Sequence, residues 1–175
     1  TDAAIVGHMP IHATESLAAV GVVTAFLSML IWVLGQSRSA ISSIISQYVG
    51  ANKLEEVKNL PAQAIAIILG ISFVICCLTY PFSNAIFKLY NASGLLLNYS
   101  VSYYKIRVLG LPFTLYTFAV FGVFRGLQNT YYPMLIAITG ALVNIVLDIV
   151  LVYGIKDVFL PLNLKGAAIA SVLSQ

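Results

Sequence analysis

The sequence predicts an all-α fold, a polytopic membrane helix bundle, and three observations carry that expectation. The chain of 175 residues is 60% hydrophobic and only 9% charged, where a soluble globular domain carries about 25% charged residues. Its apolar residues fall in stretches long enough to cross a hydrocarbon core about 30 Å thick. In the most apolar of them, Met134 to Tyr153, Asn144 and Asp148 are the only strongly polar side chains. They stand four apart, on one helix face and about 6 Å apart along the axis. Leu142, Val143, Ile145, Val146, Leu147 and Ile149 to Val152 leave this helix no water-facing flank. A carboxylate there is costly unless it is paired, protonated or wetted, and it marks an ion or substrate path. The structural alternative is that Asp148 pairs with Asn144 or a neighbouring helix as glue.

Taken in order, Asp2 to Met9 is too short to span and, with the polar turn Pro10 to Glu15, reads as the end of a first helix. Ser16 to Leu34 is an uncharged second span whose pattern continues to Tyr48, with Gly35, Gln36 and Arg38 marking a bend, a wet surface or a simple interfacial position. Gly50 to Gln63 holds Lys53, Glu55, Glu56 and Lys58 at helical ion-pair spacing, an amphipathic connector at one membrane face. The third span is expected at about Ala64 to Tyr80, with helix continuing to Leu89, and a connector to about Tyr99 carries the glycosylation sequons at Asn91 and Asn98. The fourth runs from about Ser102 to Phe124, with Lys105 and Arg107 near its start as interface anchors and a kink at Gly110 to Pro112. After the turn Arg125 to Pro133 comes the fifth span, then a connector from Gly154 to Lys165. Gly166 to Gln175 opens a sixth helix with Gly166, Ala167, Ala168, Ala170 and Ser171, small residues suited to close helix contact.

A net charge of +3, with its bases scattered, gives no nucleic-acid footprint. Cys76 and Cys77 lie side by side in an apolar run and pack as small hydrophobes. No cofactor is called for. The chain begins at Thr1 without methionine and stops at Gln175 within a rising apolar segment, which reads as a piece of a longer polytopic protein.

Alternating helices put polar residues at predictable depths. Asp2, Asp148 and Ser171 all fall about 8 to 11 Å inside the same membrane face. Basic residues give an awkward orientation: Lys53, Lys58 and Arg125 lie on one face, and Lys88, Lys105, Arg107, Lys156 and Lys165 on the other. The positive-inside rule puts the second face in the cytoplasm.

Several motifs, in order and spacing, carry a family resemblance. They are Asp-x-x-x-Val-Gly at Asp2 to Gly7, Leu17 to Gly21, Ser46-Gln-x-x-Gly50-Ala51, Tyr103 to Phe113 with Gly110-Leu-Pro112, Arg125-Gly126-x-x-Asn129-Thr130-x-x-Pro133, and Gly166-Ala-Ala-x-Ala-Ser171. Together they resemble the multidrug and toxic compound extrusion (MATE) transporters. The resemblance implies a twelve-helix, two-lobe transporter fold, of which residues 1–175 are the N-terminal transmembrane bundle from the end of helix one to the start of helix six, with the C-terminal bundle of the same polypeptide absent from this chain. It implies secondary active efflux of amphipathic, often cationic small molecules by proton or sodium antiport, in the plasma membrane, with the lipid bilayer and the substrates as partners. Members with an acidic site in this bundle hold a proton or sodium ion at positions matching Asp2, Asn144, Asp148 and Ser171, where a threonine is more usual than serine, with Tyr103 as a further match.

The alternative within the same superfamily is a lipid or lipid-linked oligosaccharide flippase, which lines its cavity with cations for phosphate; here Arg38 is the candidate. An intramembrane aspartyl protease using Asp2 and Asp148 lacks the Gly-x-Gly-Asp pattern. A scaffold with no transport role sits badly with Asp148 in an apolar span. His8 and His12, four apart beside Pro10, have metal-ligand spacing but read better as interfacial loop residues.

Family topology opposes the charge count, placing Lys53 and Lys58 in the cytoplasm and Lys156 outside, and the family expectation is the one followed here. Single cysteines at these positions of the full-length protein, probed with an impermeant thiol reagent, decide it. Labelling from outside is expected at 156; labelling at 53 instead would uphold the charge count.

Overall fold

In lipid each backbone N–H and C=O must be satisfied within its own segment, so the apolar stretches fold as helices. The computed structural model describes residues 13–153 and 162–175. Among them run α1 (Ala13–Gly35), α2 (Ser37–Gly50), a short 3-10 turn (Leu54–Val57), α3 (Leu60–Thr79), α4 (Ser83–Leu89), α5 (Gly94–Arg107), a second 3-10 turn (Val108–Gly110), α6 (Leu111–Gly126), α7 (Tyr131–Tyr153) and α8 (Asn163–Leu173). Among the described residues, four stretches are long and apolar enough to cross a membrane: Thr14–Gly50, Glu55–Thr79, Gly94–Gly126 and Tyr131–Val152.

The expected bend after α1 is a one-residue interruption. Gln36 keeps right-handed helical angles (φ −61°, ψ −23°), and its carbonyl accepts from the N–H groups of both Ser39 and Ala40. The ladder therefore passes almost unbroken from α1 into α2. It stops where Asn52 turns left-handed (φ 59°) and the Lys53 N–H reaches back to the Tyr48 carbonyl, a helix stop that more commonly uses glycine. Asn91 and Gln128 repeat the same device after α4 and α6. In the connector after α2 the anticipated ion pairs form, Lys53 to Glu56 at 3.1 Å and Lys58 to Glu55 at 3.3 Å. Both are exposed, so each is worth at most about 1 kcal/mol.

The third span ends at Thr79, close to the expected Tyr80, and the helix expected to continue to Leu89 is present as the separate α4 after a turn at Tyr80 to Phe82. One boundary differs from expectation. The fourth helix begins at Gly94 rather than near Ser102, which puts Asn98 on a helix. The cause is packing at the N-terminal end of the helix: Leu96, Leu97 and Tyr99 lie against a core of Val20, Val23, Phe87 and Tyr104. Phe26, Phe87 and Tyr104 meet there edge to face, with centroids 5.2 to 6.1 Å apart. A leucine-rich turn that sequence alone assigns to a connector thus gains a buried face.

The kink at Gly110 to Pro112 is present as the Val108–Gly110 turn. Pro112 lacks the N–H that would bond the Val108 carbonyl, and its ring crowds that group. The carbonyl instead accepts from the Leu111 N–H and from the Cys76 thiol, 3.2 Å away on α3. Cys76 is half-buried against both cores, as expected of a small hydrophobe, whereas Cys77 is exposed and does not pack as expected.

α1 and α2 lie parallel to α5 and α6, and α3 lies antiparallel to α6. A second core, of Ile41, Ile45, Ile68, Leu111, Leu115 and Ala119, fills the space between them. Glycines set the closest approach: a Cβ at Gly122 would sit 2.7 Å from the Arg38 carbonyl oxygen, and one at Gly126 2.7 Å from the Ile45 Cβ. Gly21 has nothing within 4 Å. Gly122→Ala or Gly126→Ala should therefore destabilise the full-length protein, by about 1 to 3 kcal/mol as for overpacking elsewhere, while Gly21→Ala should be neutral or mildly stabilising. Thermal unfolding followed by size exclusion in detergent reads the difference, and equal behaviour of all three variants would contradict this packing.

Candidate functional site

The faces of α7 follow its sequence. Leu142, Val143, Ile145, Val146 and Ile149 are exposed, an apolar flank suited to lipid. Ala137, Gly140, Ala141 and Asn144 line a cavity, and the same stripe continues into Asp148 and Val152, 0% and 1% exposed. The polar pair thus lies on the one face of α7 that has protein against it.

That face is held by α8, and glycine fixes the register of the two helices. A Cβ at Gly166 would collide with the Leu151 carbonyl, and one at Gly140 would lie 3.1 Å from the Ser174 carbonyl oxygen. The helices are therefore antiparallel, with Asn144 and Asp148 between two close contacts. Measured from the Leu151 to Gly166 contact at 1.5 Å per residue, Asp148 lies about 4.5 Å along, Ser171 about 7.5 Å and Asn144 about 10.5 Å. Ser171, 5% exposed, stands at a height between the other two. Gly166, Ala167, Ala168 and Ala170 are buried too, which is the close contact expected of this small-residue run.

Tyr103, on α5, is wholly buried in the core it shares with Val152, Ala167 and Ala168. Asp2, His8, His12 and Lys156 lie outside the described residues.

The cavity between α6, α7 and α8 has a volume of about 380 Å³, at the small end of ligand sites. Asn144 and Ser171 open onto it, and Asp148 does not. Phe118 and Phe121 give it an aromatic wall, with Thr114 and Thr117 beside them. The Thr114 hydroxyl donates to Gln175 Oε1 at 2.7 Å. Arg107 lines it too, which corrects the expectation that this arginine is an interface anchor like Lys105. Residues two apart on a helix point about 200° apart: the Lys105 ammonium lies 5.4 Å from the centre of the Tyr80 ring, and Arg107 faces inward. The signal was available in the sequence, because Arg107, Thr114 and Phe121 recur every seven residues on one helical face. Arg38 borders a second cavity of about 280 Å³ with Trp32, Gln36 and Phe118, its guanidinium 5.3 Å from the Phe118 ring centre.

Long apolar helices with a buried carboxylate beside a polar, aromatic-walled cavity define an integral, multi-pass membrane protein of the transporter class. The chain belongs to the MatE family, whose family model matches residues 1–150. It is 29% identical over 175 residues to the DNA damage-inducible protein F of Escherichia coli, covering 99% of this chain and 36% of that protein. It is also 29% identical to the multidrug export protein MepA of Staphylococcus haemolyticus, over 75% of this chain and 28% of that one. A solved structure of a MOP superfamily transporter from Pyrococcus furiosus, whose binding pocket is described as having reverse polarity that suggests a different function, superposes with a TM-score of 0.87 at 26% identity, over 99% of this chain and 36% of its own. The chain therefore spans about a third of the length of these relatives. Proteins of this family are transporters rather than enzymes.

Proposed function

We propose that the full-length protein is a secondary active efflux transporter of the plasma membrane, exporting amphipathic, often cationic small molecules by proton or sodium antiport. The observation that carries this reading is Asp148: a carboxylate with no exposed surface, in an apolar helix, one turn from the cavity-lining Asn144. Asp2, Asn144, Asp148 and Ser171 form the ion site, and Tyr103 supports it from the core. Two carboxylates in a poorly hydrated site cannot cheaply both stay ionised, so one holds a proton or a cation bridges them. The Asn144 amide serves either state, offering its oxygen to a cation or its hydrogens to a carboxylate. Ser171 adds a hydroxyl. Such oxygen ligands suit sodium as well as a proton. Opening of the cavity between this bundle and a second one then alternates with occupancy of the ion site.

A second reading is a lipid or lipid-linked oligosaccharide flippase. It gains one observation, the presence of Arg107 in the cavity wall. Expression of the full-length gene in an efflux-deficient host separates the two: raised tolerance to amphipathic cations supports efflux. Unchanged tolerance across a broad panel, with the protein present in the membrane, favours the flippase.

Asp148→Asn keeps the shape of the site and removes its titrating charge. In proteoliposomes under a proton gradient and, separately, a sodium gradient, it should abolish transport with little loss of folded protein. Asp2→Asn should do the same, and Asn144→Ala should weaken coupling less completely. Transport by Asp148→Asn at the parent rate, under whichever gradient drives the parent, would make the carboxylate structural and end this assignment.

A further inference from the structure

We propose that Arg107 is the anion-recognising residue of the cavity, taking one anionic group, a carboxylate, of an aromatic amphipath whose ring lies against Phe118 and Phe121. The inference rests on the efflux reading and narrows its substrate class to molecules that carry a carboxylate, zwitterions included.

The cavity's charge balance is the first argument. Every described residue lining it is apolar or neutral except Arg107, and no Asp or Glu is among them. The acid nearest by sequence, Asp148, is buried behind this wall and does not line it. The second argument is the state of the guanidinium. Arg107 Nε has no accessible surface and makes no hydrogen bond, whereas Lys105 and Arg38 each rest on an aromatic ring. With Nε enclosed, the terminal nitrogens of the guanidinium are the donors that a ligand in the cavity would meet. Arginine suits the task, because its planar fork matches the two oxygens of a carboxylate. The third argument is the wall itself. Phe118 and Phe121 stand one turn apart on α6 beside the hydroxyls of Thr114 and Thr117, so a flat ring gains apolar contact while its carboxylate reaches towards Arg107.

The test uses two dyes that differ at one position, tetramethylrhodamine, which carries a free carboxylate, and its methyl ester, which does not. Binding of each to the full-length protein in phosphatidylcholine nanodiscs is followed by fluorescence anisotropy. The parent should prefer the carboxylate dye, and Arg107→Ala should lose that preference by about tenfold to a hundredfold, the worth of a charged hydrogen bond. Arg107→Lys should recover part of it. Arg107→Gln, shorter and uncharged but still polar and a donor, guards against a folding defect in the alanine variant, and should lose the preference while running as a single species on size exclusion. Competition by dihexanoylphosphatidylglycerol that depends on Arg107 and outweighs competition by benzoate would assign the anion to a lipid phosphate and overturn the carboxylate assignment. Equal binding of the two dyes by the parent would overturn the proposal and leave the efflux reading standing. Binding of neither dye by folded parent protein would overturn both. A preference that survives in Arg107→Ala, with loss of gradient-driven transport, would also overturn it and make Arg107 a partner of the ion site.

Discussion

A carboxylate cannot be left facing lipid, and the arrangement of α7 and α8 follows from that constraint. Asp148 has no exposed surface although most of α7 is open to its surroundings. Hiding one small acid on an otherwise bare helix requires a second helix at very short distance, which only small residues permit. Gly166 supplies the contact at Leu151, Gly140 supplies it at Ser174, and Ala167, Ala168 and Ala170 keep the intervening surface low. The order of the residues on α8 is then explained. A bulky side chain at 166 would push the helices apart at the level where the carboxylate needs cover.

The same stripe of α7 serves two environments. Its first half, through Asn144, lines the cavity, and its second half, from Asp148 to Val152, belongs to the interior. The two polar residues are separated by one helical turn, with no loop or flexible joint between them. In the proposed mechanism a change at Asp148 therefore reaches the cavity wall through a rigid element. Ser171, at an intermediate height on the facing helix, touches the same boundary from the other side.

How much of this was legible in the sequence varied with the physics behind each feature. Span positions were readable because hydropathy is a local property, and the Asn144 and Asp148 pair stood out because polar residues are rare in such a background. The small-residue run at Gly166 to Ser171 announced a close contact, though not that its partner is Leu151. The early start of α5 was not readable: Leu95 to Tyr99 resembles a connector until Phe26, Phe87 and Tyr104 are brought together from three helices. Arg107 was misjudged for a related reason. Next to Lys105 it reads as one more anchor, and only the helical phase separates the inward residue from the outward one. Asn52, Asn91 and Gln128 at left-handed positions were likewise hidden, since the nearby glycines of the sequence, Gly50 and Gly126, are not the residues that make the turns.

The break in the fourth span ties these parts together. Pro112 removes a hydrogen-bond donor and so frees the Val108 carbonyl, and α3 answers with the Cys76 thiol. Two residues on, Gly110 has no side chain because Val172 and Gln175 of the sixth span occupy the place, 3.0 and 2.7 Å from where a Cβ would stand. The irregular turn is thus gripped from both sides, by α3 at one carbonyl and by Val172 and Gln175 at one glycine. Arg107 precedes it directly, and Thr114 follows one turn later with its hydroxyl on Gln175. An irregular backbone in a membrane helix persists only where neighbouring groups satisfy it. Here the groups that do so also fix the height at which arginine, threonine and Ser171 face one another, so the proline that breaks the helix is part of what positions the cavity.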